Sequence, residues 1–81
     1  MGILWIDLSE NIQTCLDALR ALNTSKEDDT RMCLALIRRE TRQFRDRKQL
    51  MAQMGRLLSA NNKSRAIKLL EAMPERRFRW L

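Results

Sequence analysis

RRETRQFRDRK, Arg38 to Lys48, places Arg38, Arg39, Arg42, Arg45, Arg47 and Lys48 around a single phenylalanine. How this stretch is read decides the fold. Apolar residues on both sides of it recur at steps of three and four, no alternating strand pattern is present, and the only proline is Pro74. The segment therefore reads as the middle of one long helix running to about Ala60 without a breaker. At its start, Thr24 followed three residues later by Glu27 reads as a capping box, and Glu27, Asp28 and Asp29 suit the positive end of the helix dipole.

Toward the N-terminus, Leu8, Ile12, Cys15, Leu16, Leu19 and Leu22 make one stripe on a first helix from about residue 8 to 23, with Asp7 and Glu10 as its start signal. Toward the C-terminus, Asn61-Asn62 reads as a turn, and Ser64 to Met73 as a short third helix stopped by Pro74. The expected class is all-α, with short, long and short helices. Residues 1–73 form a single helical domain and residues 74–81 a basic, aromatic tail. The middle helix would span some 34 residues, or about 50 Å, roughly twice the first, so a helical hairpin leaves part of its apolar side uncovered. Two antiparallel copies would cover it, giving a four-helix-bundle homodimer. A chain of 81 residues gains from such help, because it buries only about 60–65% of the surface its unfolded form exposes.

Charge is segregated along the chain. Residues 1–30 carry six acidic and two basic groups, net −4, whereas residues 31–81 carry fourteen basic and four acidic groups, net +10. Such a split points to a polyanion, either nucleic acid or an anionic membrane surface. On a wheel of about 100° per residue, Arg31, Arg38, Arg42, Arg45, Gln49, Gln53 and Arg56 fall on one side of the long helix. Ile37, Phe44, Met51, Met54 and Leu58 fall on the other, as core or dimer contacts. The basic stripe contains no carboxylate between Arg31 and Arg56, while an ordinary solvated face mixes signs. Both readings, phosphate grip and plain wet face, remain on the table; the first is favoured.

A long stripe of arginines follows successive phosphates, and its glutamines supply neutral groups that meet ribose 2′-hydroxyls. The wide, shallow minor groove of A-form RNA suits a flat helical floor that reads shape and not sequence. Base-specific DNA binding favours a compact recognition helix, and single-strand binding favours aromatic platforms, of which the basic region has only Phe44. Lys63, Arg65 and Lys68 extend the set of phosphate contacts. Trp5, Phe78 and Trp80 either dock on the domain or engage a membrane or partner. Glu40 and Arg47 mark an ion pair across an antiparallel interface or the edge of that interface.

With two cysteines and no histidine, the chain lacks the usual ligands of a zinc site and the imidazole of a Ser/His or Cys/His pair, so no metal, cofactor or catalytic residue is expected. Two reduced, buried thiols are the favoured state of Cys15 and Cys33, with a disulfide between them as the alternative. No apolar run approaches the roughly 20 residues needed to cross a bilayer, and ILWI is too short for a secretory signal. A soluble intracellular protein is expected.

The helix order, together with LSENIQTCLDAL at residues 8–19 and LLSANNKSRAIKLLEAM at residues 57–73, resembles the small RNA-silencing suppressors of nodaviruses. Between these segments the similarity rests on length and charge, with an insertion or deletion near residues 48–56. The resemblance implies an antiparallel homodimer that lies along double-stranded RNA, shields it from Dicer-type cleavage and acts in the cytoplasm of an infected host, with host silencing proteins as further partners. The family's basic contact residues do not align with Arg38, Arg42 and Arg45. Three functions compete: a non-enzymatic duplex-RNA binder that suppresses silencing, which leads; a helical module that binds an acidic protein; and an amphipathic membrane-surface module.

Overall fold

The computed structural model describes residues 3–44, 46–73 and 76–80, with side chains described over 7–44 and 46–73. Four helices, α1 (Ser9–Ala21), α2 (Glu27–Glu40), α3 (Arg47–Ser59) and α4 (Lys63–Glu71), form the body. Each helix packs on its neighbour in sequence and α1 also packs on α4, which closes the set into a bundle. The helical class expected from the apolar spacing is therefore present. Two short strands flank it: β1 (Ile3–Asp7) pairs antiparallel with β2 (Arg76–Trp80), in a register that sets Ile3 opposite Trp80 and Asp7 opposite Arg76. This ribbon was not legible in the periodicity. The side chains of Trp5, Phe78 and Trp80 lie outside the described set.

All six residues of the predicted α1 stripe are buried. Asp7 supports the start of α1 by accepting from the Ser9 backbone N–H at 2.9 Å. The expected capping box of α2 does not form. The N-cap of α2 is Lys26, without a side-chain cap, and the Thr24 hydroxyl instead donates to Asn61 Oδ1 on the α3–α4 turn. Glu27, Asp28 and Asp29 do occupy the first turn of α2, where the helix dipole favours them. Asn61 adopts a positive φ of 59°, a conformation that asparagine tolerates better than most residues, so Asn61-Asn62 makes the turn its sequence suggests.

The expected long helix is two helices. After Glu40 the chain turns, and α3 begins only at Arg47. Thr41 is fully buried, and both its backbone N–H and its hydroxyl are given to the Ile37 carbonyl, at 2.9 and 2.7 Å. The Phe44 N–H then returns to the Thr41 carbonyl at 2.9 Å. The physical cause is the supply of apolar side chains. From Arg38 to Gln49 only Phe44 is apolar, so a helix continued through this region would have almost nothing to bury for three turns. Folding back places Leu50, Met54 and Leu58 of α3 in the same core as Cys33 and Ile37 of α2. Each such buried side chain contributes roughly 1.5–3 kcal/mol.

The break changes the argument for a second copy. Ile37, Phe44, Met54 and Leu58 are buried within one chain, and Met51 is half-buried against the same core. No 34-residue rod remains to be covered. Cys15 and Cys33 are both buried and free, as the favoured reading of two thiols required.

Candidate nucleic-acid interface

The turn at 41–46 distributes the predicted basic stripe over three places. Arg31 and Arg38 lie exposed on α2, Arg42 lies exposed in the turn, and Gln49, Gln53 and Arg56 lie exposed on α3. Arg45 falls outside the described residues. A single line from Arg31 to Arg56 is therefore not formed, because the wheel that aligned them assumed one continuous axis. Arg31 is moreover engaged locally, 3.8 Å from Glu27 one helical turn away.

What survives is the α3 face. Gln49, Gln53 and Arg56 are spaced by four and three, which stacks them along about 10 Å of helix. A cleft opens at each end of this row. At the start of α3, Arg42, Arg47, Lys48 and Gln49 surround a cleft of about 460 Å³ beside the buried Phe44, with Asp46 as the one carboxylate among the described lining residues. At the other end, Gln53 and Arg56 of α3 face Ser64, Arg65 and Lys68 of α4 across a larger groove of about 830 Å³. Asn62 closes one side of the groove, and Leu57 and Leu69 supply its apolar lining. Among the described residues, no carboxylate lines it, and Arg56, Arg65 and Lys68 make no ion pair.

The sequence named Lys63, Arg65 and Lys68 together, and the structure separates them. Lys63 Nζ donates to the carbonyls of Arg20 and Leu22, at 2.7 and 2.9 Å. These carbonyls belong to the end of α1, where helix geometry leaves them without partners and where a cation is favoured. Lys63 is thus a clamp between α4 and α1, and Arg20 supports the same junction at 3.6 Å from Glu71. Arg65 and Lys68 stay exposed on α4, away from the buried Ala66 and Leu70. Their spacing of three says little on its own.

Within one chain, Glu40 is engaged by α1 and α2 and not by Arg47. The Glu40 carboxylate accepts from Asn11 Nδ2 at 2.8 Å, joining α2 to α1, and lies 3.8 Å from Arg39 Nε. Burial, with the nearby Glu40 and Cys33 charges, pushes the Cys15 thiol up to about 12. Cys33 is also raised by burial, an effect that Lys63 opposes. Both thiols are therefore protonated and poor nucleophiles near neutrality. Among the described residues no three metal-ligating side chains converge, and no helix is long and apolar enough to cross a membrane.

Compared with known proteins, the chain matches no family model, no curated protein and no solved structure. The long middle helix that entered the expected helix order is divided into α2 and α3.

Proposed function

We propose that this chain is a non-enzymatic, sequence-independent binder of double-stranded RNA that acts by covering the duplex. The observation that carries the reading is the carboxylate-free groove between α3 and α4, with Arg56, Arg65 and Lys68 on its two walls. Guanidinium and ammonium groups so placed engage phosphate oxygens and position a backbone without reading bases. The row Gln49, Gln53 and Arg56 leads from this groove to the second basic cleft at Arg42, Arg47 and Lys48. Phe44, the one aromatic side chain within the described set, is buried.

Shielding of duplex RNA from Dicer-type cleavage in a host cytoplasm, and hence suppression of silencing, follows from this mode of binding if the resemblance holds. A second copy enters the proposal as a way to widen the floor and not to complete the core. Met32, 72% exposed on α2, is the large exposed hydrophobic among the described residues that could serve such a contact. Sedimentation across protein concentration tests the homodimer.

One observation favours a second reading. α3 and α4 are joined by only three residues, 60–62, the connection length of a helix-turn-helix that reads duplex DNA. A filter-binding comparison of duplex RNA, duplex DNA and single strands separates the two. The proposal expects duplex RNA to bind tightest, without sequence preference. With six cations at the two clefts, the logarithm of affinity should fall with the logarithm of salt at a slope of about −5. Tighter binding to one DNA sequence, or no binding to duplex RNA at modest salt, overturns it.

A further inference from the structure

Two leucines in the α3–α4 groove have no part in holding phosphates. Leu57 and Leu69 line it beside Arg56, Arg65 and Lys68 and are only half-buried. A ligand that uses the whole groove joins anions to an apolar side chain. The outer face of α2 presents that combination. Asp28 and Asp29 precede Met32 by four and three residues, which sets the three on one side of the helix, away from the buried Cys33 and Ile37. Met32 is 72% exposed, Leu36 lies half-buried one turn further on, and neither aspartate makes an ion pair among the described residues. Residues 1–30 as a whole are net acidic and residues 31–81 net basic.

We propose that, in the absence of RNA, the outer face of α2 in one copy docks into the α3–α4 groove of the next, with Met32 on Leu57 and Leu69 and with Asp28 and Asp29 beside Arg56, Arg65 and Lys68. Charge complementarity selects this occupant. The two surfaces differ, so the contact is heterologous and copies join head to tail. It is not the antiparallel pair that the resemblance implies: that pair displays its cations to RNA, whereas this contact covers them. Duplex RNA and a neighbouring copy therefore compete for one groove, and self-association holds the protein inactive until RNA displaces it. Met32, once released, is free for the pair that widens the floor. The competition rests on the duplex-RNA reading, while the docking of one copy on another is independent of it.

Sedimentation velocity of the full chain without RNA reads the contact. At low salt the sedimentation coefficient should rise with protein concentration, and the rise should shrink at about 1 M salt, where charges are screened beyond about 3 Å. Met32→Ser, and separately Asp28→Asn with Asp29→Asn, should each weaken association about tenfold or more, with the circular dichroism of the parent and no loss of RNA affinity. A further arm mixes two charge-reversed chains, Asp28→Lys, Asp29→Lys and Arg56→Glu, Arg65→Glu. Neither should associate alone, and the mixture should, because each supplies the surface that the other lacks. Energy transfer between the two labelled chains should then fall when duplex RNA is added, since the first chain keeps its cationic groove. A parent that stays monomeric, a mixture that does not associate, or association that persists in the Arg56→Glu, Arg65→Glu chain alone overturns the docking and leaves the duplex-RNA reading standing. A mixed complex that survives RNA bound by the first chain overturns the shared groove. If the parent binds no RNA, the functional reading and the competition fall together, and sedimentation still decides the docking.

Discussion

Between α1 and α2, polar groups answer one another inside the chain. Asn11 donates to Glu40, Arg39 sits beside the same carboxylate, and two thiols are buried as neutral groups. Between α3 and α4, three cations line a groove in which no described residue is a carboxylate. Both seams rest on apolar residues of one core. The difference lies in where each seam finds its counter-charges: the first within the protein, the second outside it. An exposed surface pair contributes little to stability, so three cations without an ion pair among the described residues cost the fold little and, on the proposed reading, make a place for an anion.

The comparison is open to attack from either side. Leu19, fully buried on α1, belongs to the self-contained half, and Leu19→Ala should remove about 2–5 kcal/mol of stability while the folded fraction binds RNA as before; urea melts followed by binding below the transition check both parts. Reversal of charge in the open half should do the opposite. The double variant Arg56→Glu, Arg65→Glu is expected to lose about 100-fold or more in duplex affinity, with a melting temperature equal to or above that of the parent. A lower melting temperature would mean that these arginines are structural.

Lys63 joins the halves, and Lys63→Met should cost about 1 kcal/mol through the loss of two hydrogen bonds to carbonyls that water can partly reach, with RNA affinity changed less than about twofold. A larger loss of affinity would return Lys63 to the ligand site. Cys15 provides a test by pH. Its pKa rises from 9.0 unfolded to about 12 folded, so the folded chain keeps a proton that the unfolded chain releases. The stabilisation is fully present below pH 9 and is lost as pH climbs from 9 toward 12. Urea midpoints should therefore fall across this window more steeply for the parent than for Cys15→Ala. The smallest effect is expected at Arg31, whose exposed pair with Glu27 is worth about 0.5 kcal/mol or less. If Arg31→Ala weakens RNA binding strongly, α2 belongs to the interface after all.

The periodicity of residues 8–22 sufficed to place α1 and its buried face, because each apolar residue there has a polar neighbour outside the stripe. The division between α2 and α3 escaped for a different reason. No glycine or proline marks the turn; the chain leaves the helix at a buried threonine whose hydroxyl adds a second hydrogen bond to the Ile37 carbonyl that its backbone N–H already reaches. A sign was present in the long apolar gap around Phe44, which no stable helix face would tolerate. The same error displaced the candidate site: a wheel correctly aligned Gln49, Gln53 and Arg56 but carried Arg31 and Arg38 along an axis that does not continue. The facing of Arg56 by Arg65 and Lys68 is a tertiary relation between helices, and no spacing within either one encodes it.

The grip of Lys63 on the end of α1 spans more than forty residues of chain. On a ribosome, the carbonyls of Arg20 and Leu22 stay hydrated until residue 63 has emerged, and closing that loop carries an entropy cost that grows with the logarithm of its length. The last turn of α1 and the first turn of α4 should accordingly gain protection from amide exchange in the same step, as one cooperative unit formed late in folding.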